Sequence, residues 1–137
     1  MSNCKKNSPE DEMLTTRGLK NPKVIDLIRA EPGKKETKPI EQNIQSVVLY
    51  MIEDRPWSDS HDHFSQLSEK FNNYLDFVVD GWLFKQYPQY KGCSVIIELC
   101  LSDSKASENF KRMSEELKSF ASRYQITFRY SCGFTDF

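Results

Sequence analysis

Apolar residues recur every three or four positions from Phe64 onwards: Phe64, Leu67, Phe71, Tyr74, Leu75, Val78 and Trp82. This is the period of an α-helix with one buried stripe, and it predicts a helix over 57–81. Ser58 or Ser60 can cap its start, and Asp59 and Asp62 suit the positive end of its dipole. Gly81 suits the position just past its end, and a short extension over Trp82–Tyr87 stops before Pro88. A second helix, capped by Ser104 or Ser107, places Phe110, Met113, Leu117, Phe120, Ala121 and Tyr124 on one face.

Other stretches follow a period of two. Ile44–Ile52 is β-branched and aromatic, with Val47, Leu49 and Met51 on one face and Val48, Tyr50 and Ile52 on the other. A strand that is apolar on both faces is central or has its second face covered. Ser94–Leu101 carries Val95, Ile97, Leu99 and Leu101 on one face, and Ile96, Glu98 and Cys100 on the other. Ile126–Tyr130 alternates as a half-buried strand. Lys23–Ala30 is a short apolar run ending at the turn signal Glu31-Pro32-Gly33; it reads as a strand, with a short helix as the alternative. Residues 33–43 read as a solvated, charged loop.

The order is strand, strand, helix, strand, helix, strand. Helical crossovers join parallel neighbours with right-handed connections, whereas the first pair is expected to be antiparallel. The fold class is therefore α/β, an α+β two-layer sandwich with a mixed sheet of about four strands and both helices on one face. The far face then carries Val48, Tyr50, Ile52, Ile96, Cys100, Thr127 and Arg129. It is expected to be open and in need of a cover: the N-terminal arm, the C-terminal tail or a second subunit. Val48, Tyr50, Ile96 and Arg129 are its candidate contact residues. With 137 residues the chain reads as one domain over 21–131, with a loosely attached arm at 1–20 and a tail at 132–137.

Composition narrows the function. The net charge is −1, from 19 basic and 20 acidic residues, which gives no basic field for nucleic acid or a membrane surface. No apolar run has the length of a membrane span, and the first ten residues lack the apolar core of a secretion signal. Cys4, Cys93, Cys100 and Cys132 show no C-x-x-C spacing, so a cytoplasmic protein with free thiols is expected.

Candidate chemistry gathers at the start of the long helix. His61-Asp62-His63 is the one histidine cluster, but on a helix His61 and His63 point about 200° apart and cannot share an ion. No metal or cofactor is expected, with His61, His63 and Asp62 as the weak candidates. No Ser–His–Asp or Cys–His arrangement and no Gly-rich phosphate loop declares itself, which argues against an enzyme. His63, Gln66, Lys70, Asn73 and Phe77 step along one flank of the helix, and with Trp57 they form a candidate surface for a protein partner. In that reading Lys70 keeps its ammonium in water.

The series Trp57, His63, Leu67, Lys70, Asn72, Tyr74, Phe77, Gly81, Tyr87-Pro88 and Gly92 resembles the pattern of a family of small uncharacterised bacterial proteins. The resemblance covers about residues 45 to 130. The arm and the charged loop 33–43 depart from it, which bears on the first strand. It implies a fold and a bacterial source, and no reaction. The resulting expectation is a non-catalytic protein-interaction module that homodimerises or serves an unknown partner, for instance an immunity-type or regulatory partner of a neighbouring gene product. A metal-dependent or small-ligand-binding protein using the His61/His63 region is the alternative.

Overall fold

The computed structural model describes residue 19 and residues 24–31, 46–102 and 106–133. Most of the arm, the loop over 33–43 and the candidate cap Ser104 lie outside the described residues, as does the tail beyond Gly133.

The sheet has four strands in the order β1 (Leu27–Glu31), β2 (Ser46–Glu53), β3 (Ser94–Leu101) and β4 (Ile126–Cys132). β1 runs antiparallel to β2, while β2–β3 and β3–β4 are parallel. The crossovers carry α1 (His61–Val79), with the short α2 (Trp82–Gln86) and a single 3₁₀ turn (Pro88–Tyr90), and then α3 (Glu108–Ser122). The mixed four-stranded sheet with helices packed on it is the α+β arrangement that the alternation of periods predicts.

Sequence chemistry accounts for the element boundaries. α1 begins at His61 and not at Trp57, because Asp59 takes a left-handed backbone (φ 59°) and Ser60 is the cap, accepting the His63 N–H at 3.0 Å. It ends at Asp80, followed by Gly81 at φ 88°, a conformation that favours glycine. Ser107 caps α3 through the Phe110 N–H at 2.9 Å. β1 covers only the end of its apolar run, because the Asp26 carboxylate takes the Ile52 N–H at 2.8 Å in place of a backbone partner. β4 runs two residues past Tyr130, and Cys132 pairs with Leu101.

The core lies between the helices and the face of Val47, Leu49, Met51, Val95, Ile97, Leu99, Ile126 and Phe128. Leu67, Phe71, Tyr74 and Leu75 of α1 and Phe110, Leu117 and Ala121 of α3 fill it, each buried. Full burial of such side chains contributes about 1.5–3 kcal/mol apiece. Leu19, placed in the arm by its polar surroundings, is buried in this core as well.

The helical stripes are narrower and differently placed than the apolar pattern suggests. α1 buries His63 and Lys70 within its inward face, while Trp82, the last residue of the expected stripe, is exposed. α3 buries Phe110, Ser114, Leu117 and Ala121, a run at three- and four-residue steps. Phe120 and Tyr124 fall on its flank and are exposed.

Candidate functional site

The start of α1 is a fastened polar cluster. Glu53, at the end of β2, is buried on the helix side. Its carboxylate accepts the Arg55 Nε at 3.0 Å and Nη2 at 2.6 Å, and the His63 Nε2 at 2.7 Å. Arg55 Nη2 also donates to Gln66 Oε1 at 2.6 Å. Burial opposes the charge on Glu53, yet the Arg55 and His63 donors outweigh it and hold its carboxyl below the usual carboxylate range. Those hydrogen bonds in turn raise the Arg55 pKa above its ordinary value.

His63 has its tautomer set by its neighbours. The Ser58 backbone N–H donates to Nδ1 at 3.1 Å, which assigns the ring proton to Nε2, facing Glu53. Ser58 Oγ also lies 3.0 Å from Nδ1. Serine, imidazole and carboxylate thus stand in the order that serine hydrolases use. Three contacts argue for a locked helix start in place of a nucleophile and its base. The lone pair of Nδ1 already faces a backbone N–H, Ser58 Oγ has Ser60 Oγ at 2.9 Å, and the Trp57 ring stacks on His63 at 4.0 Å.

Trp57 is packed edge-on against Phe64 and Phe110, and its Nε1 donates to Asp59 Oδ1 at 2.6 Å. The same oxygen accepts from Ser107 Oγ at 2.7 Å, so Asp59 ties the starts of α1 and α3 together. His61 is exposed and points at Ser65, and Asp62 is exposed in the first turn. Among the described residues no group of three His, Cys, Asp or Glu side chains is placed to hold a metal ion.

Lys70 departs most from its sequence reading. It does not reach water: its ammonium lies 2.7 Å from Asp26 Oδ1, and both side chains are fully buried. Burial lowers its pKa, and Asp26 opposes the shift without cancelling it. The Tyr74 hydroxyl accepts the Asp26 N–H at 2.9 Å and donates to the Tyr50 carbonyl at 2.6 Å. Its pKa is raised, chiefly by burial and then by the Asp26 charge. Phe77 and Asn73 line an adjacent groove of about 580 Å³ with Ile25, Leu27, Tyr87 and Tyr90. Of the candidate flank, then, His63 and Lys70 face inward, Gln66 holds Arg55, and Phe77 borders this groove.

The far sheet face is less open than the apolar pattern predicts. Tyr50, Glu98 and Arg129 do share it, but Val48 and Ile96 are buried, as are Ile52 and Cys100. Part of the reason is a charged strap. Arg129 Nε donates to Glu98 Oε1 at 2.6 Å and Nη2 to Glu31 Oε2 at 3.0 Å. Glu31 and Arg129 belong to the two outermost strands, so their bridge crosses over β2 and β3. Burial disfavours the guanidinium charge, but the two carboxylates prevail and raise its pKa. Tyr50 beside them has a raised pKa, first from burial and then from Glu98.

The helical side holds what the sequence reading missed. Among the described residues, Val79, Trp82, Phe120 and Tyr124 are the large apolar residues left exposed, at 51%, 46%, 36% and 46%. Val79, Phe120 and Tyr124 share a depression of about 220 Å³ between α1 and α3. A second one, of about 260 Å³, runs from Phe120 over Phe71 and Leu117. Phe110, Met113, Leu117, Phe120, Ala121 and Tyr124 span an arc of about 100°, the ordinary width of a core-facing stripe, so the pattern alone does not mark Phe120 and Tyr124 as exposed.

Residues 20–133 match the family of unknown function DUF6572, and the chain belongs to that family. No curated protein and no solved structure matches the chain. Among the described residues, no helix is long and apolar enough to cross a membrane.

Proposed function

Starting from a family without an assigned activity, we propose that the chain is a non-catalytic module that binds another protein through the outer surface of α1 and α3. The observation that carries this reading is the exposed group of Val79, Phe120 and Tyr124, which share one depression. Contiguous exposed apolar surface edged by polar groups is characteristic of protein contact sites, and aromatic residues dominate their binding energy. Here Asn72, Asp76 and Glu116 edge the depressions around Phe120. The contact surface expected on the sheet moves to the helices, because Val48 and Ile96 are buried whereas Phe120 and Tyr124 are exposed. An immunity-type or regulatory partner encoded nearby is one form of this reading.

The test is site-specific photo-crosslinking in cells. A benzophenone amino acid replaces Phe120 in one variant and Thr127, exposed on β4, in another. The Phe120 variant is expected to give a discrete adduct that disappears when Val79 and Tyr124 are changed to lysine. Equal or absent labelling at the two positions would remove the proposal.

A further inference from the structure

We infer that the partner on this surface is a second copy of the chain, joined by antiparallel pairing of α3 about a two-fold axis at Ser119. This inference rests on the proposed interaction surface and names its occupant.

The outer face of α3 carries a shallow depression of about 410 Å³ lined by Arg112, Glu115, Glu116, Ser119, Phe120 and Arg123. All six residues are exposed. Ser119, the smallest of them, lies midway between Glu115 and Arg123, four residues from each. With a rise of 1.5 Å per residue, Glu115 and Arg123 stand about 6 Å to either side of Ser119 along the axis. A two-fold axis at Ser119 reverses one helix against the other. Glu115 of each copy then lies level with Arg123 of the other, so two ion pairs form at once. Parallel pairing of the same face would set Glu115 against Glu115 and Arg123 against Arg123. The charges therefore select the antiparallel, self-complementary arrangement that a dimer closed by a two-fold axis requires.

The apolar cluster fits the same axis. Phe120 follows Ser119 by one residue and is turned about 100° from it, toward the α1 side, where it meets Val79 and Tyr124. A two-fold axis perpendicular to the paired helices keeps both copies' Phe120 on the same side of the interface, at its rim. The small side chain at the axis allows close approach of the helices. Glu115 and Arg123 are free to exchange local partners for new ones. Glu115 has Lys118 at 3.4 Å with both side chains mostly exposed, and Arg123 lies over its own Phe120 ring at 5.5 Å. With a net charge of −1, two copies do not repel each other strongly.

The experiment is sedimentation equilibrium on the full chain over a range of concentrations. Wild type, Glu115→Arg, Arg123→Glu and the double variant are compared, with circular dichroism confirming that each is folded. Wild type is expected to dimerise reversibly, and each single variant to dimerise about tenfold or more weakly, since each sets like charges face to face twice. The double variant is expected to regain the wild-type constant, and an equimolar mixture of the two singles to form the mixed dimer. A wild type that stays monomeric, or a double variant as weak as the singles, overturns the inference. A monomer whose Phe120 photo-adduct contains a different protein overturns the dimer alone. A monomer with no such adduct overturns the interaction surface too.

Discussion

The Lys70 ammonium and the Asp26 carboxylate meet at 2.7 Å with neither side chain reaching solvent. The two residues are 44 apart in sequence, so this one contact ties the start of β1 to the middle of α1. Removing one partner of a buried pair leaves an uncompensated charge, and the usual cost is about 3–5 kcal/mol. Lys70→Met and Asp26→Leu are each expected to lower unfolding free energy by that amount in urea titration. Lys70→Met with Asp26→Asn is expected to recover most of the loss, because the amide oxygen can still accept the Ile52 N–H. A double variant as unstable as Lys70→Met alone would contradict the pairing.

Lys70 also shows why sequence pattern reaches the fold more readily than the site. The sheet, its order and the two main helices follow from periods of 2 and 3.6, which burial imposes on many residues at once. The Asp26 partner of Lys70 is a distant carboxylate that no local period encodes. In a helical pattern an inward lysine looks like a boundary lysine until Asp26 is brought beneath it. Glu53 was hidden for the same reason, since its partners Arg55 and His63 converge only once Asp59 has turned the chain into α1. The opposite error occurred at Phe120 and Tyr124, where apolar character suggested core and the flank of α3 left them exposed.

Glu53 gives an acid-stability signature. Its folded pKa lies below the ordinary carboxyl value of 4.5 despite burial, through Arg55 and His63. Around that pH the unfolded chain binds the proton more readily than the native state, so native stability falls as pH falls. The contribution of Glu53 is fully present above the unfolded pKa and is lost as pH drops through the folded one. Glu53→Gln is expected to be about 1–3 kcal/mol less stable at neutral pH, with a shallower decline below pH 4.5. Denaturant titrations from pH 7 to pH 3 check this; parallel curves for the two proteins would refute it.

Cys100 is fully buried, and burial, partly opposed by Ser131, pushes its thiol up to about 11. Thiolate is the reactive form, so Cys100 carries almost none of it at pH 8. Cys93 and Cys132 are only half-buried. Iodoacetamide at pH 8, read by peptide mass spectrometry, is expected to label Cys93 and Cys132 in the native protein and Cys100 only after denaturation. Early labelling of Cys100 would count against this packing of the far sheet face.

Asp59 combines a left-handed backbone with two hydrogen bonds to one oxygen, from Trp57 and Ser107. Asparagine tolerates this conformation and keeps an acceptor; alanine does neither. Asp59→Ala is expected to cost about 1–3 kcal/mol and to shift Trp57 fluorescence, with Asp59→Asn closer to wild type. If alanine and asparagine were equally mild, the joint between the two helix starts would be incidental.

Arg129 closes the far face through geometry more than through charge. Its fork holds Glu98 on β3 and Glu31 on β1 at once, and the Ser131 hydroxyl donates to the second Glu98 oxygen at 2.9 Å. Glu31 is 42% exposed, so that half of the bridge is weak and sensitive to salt. Glu98 is only 13% exposed, so that half is held more firmly. A lysine keeps the charge but lacks the rigid fork that spans two carboxylates. Arg129→Lys is therefore expected to retain Glu98 and release Glu31. The result is faster amide exchange at the Glu31 end of β1 with little change in β3, since among the described residues β1 is an edge strand paired with β2 alone while β3 is paired on both sides. Raising salt is expected to bring wild type toward the variant. If β1 and β3 exchange equally fast in Arg129→Lys, the bridge does not fasten the edge strand.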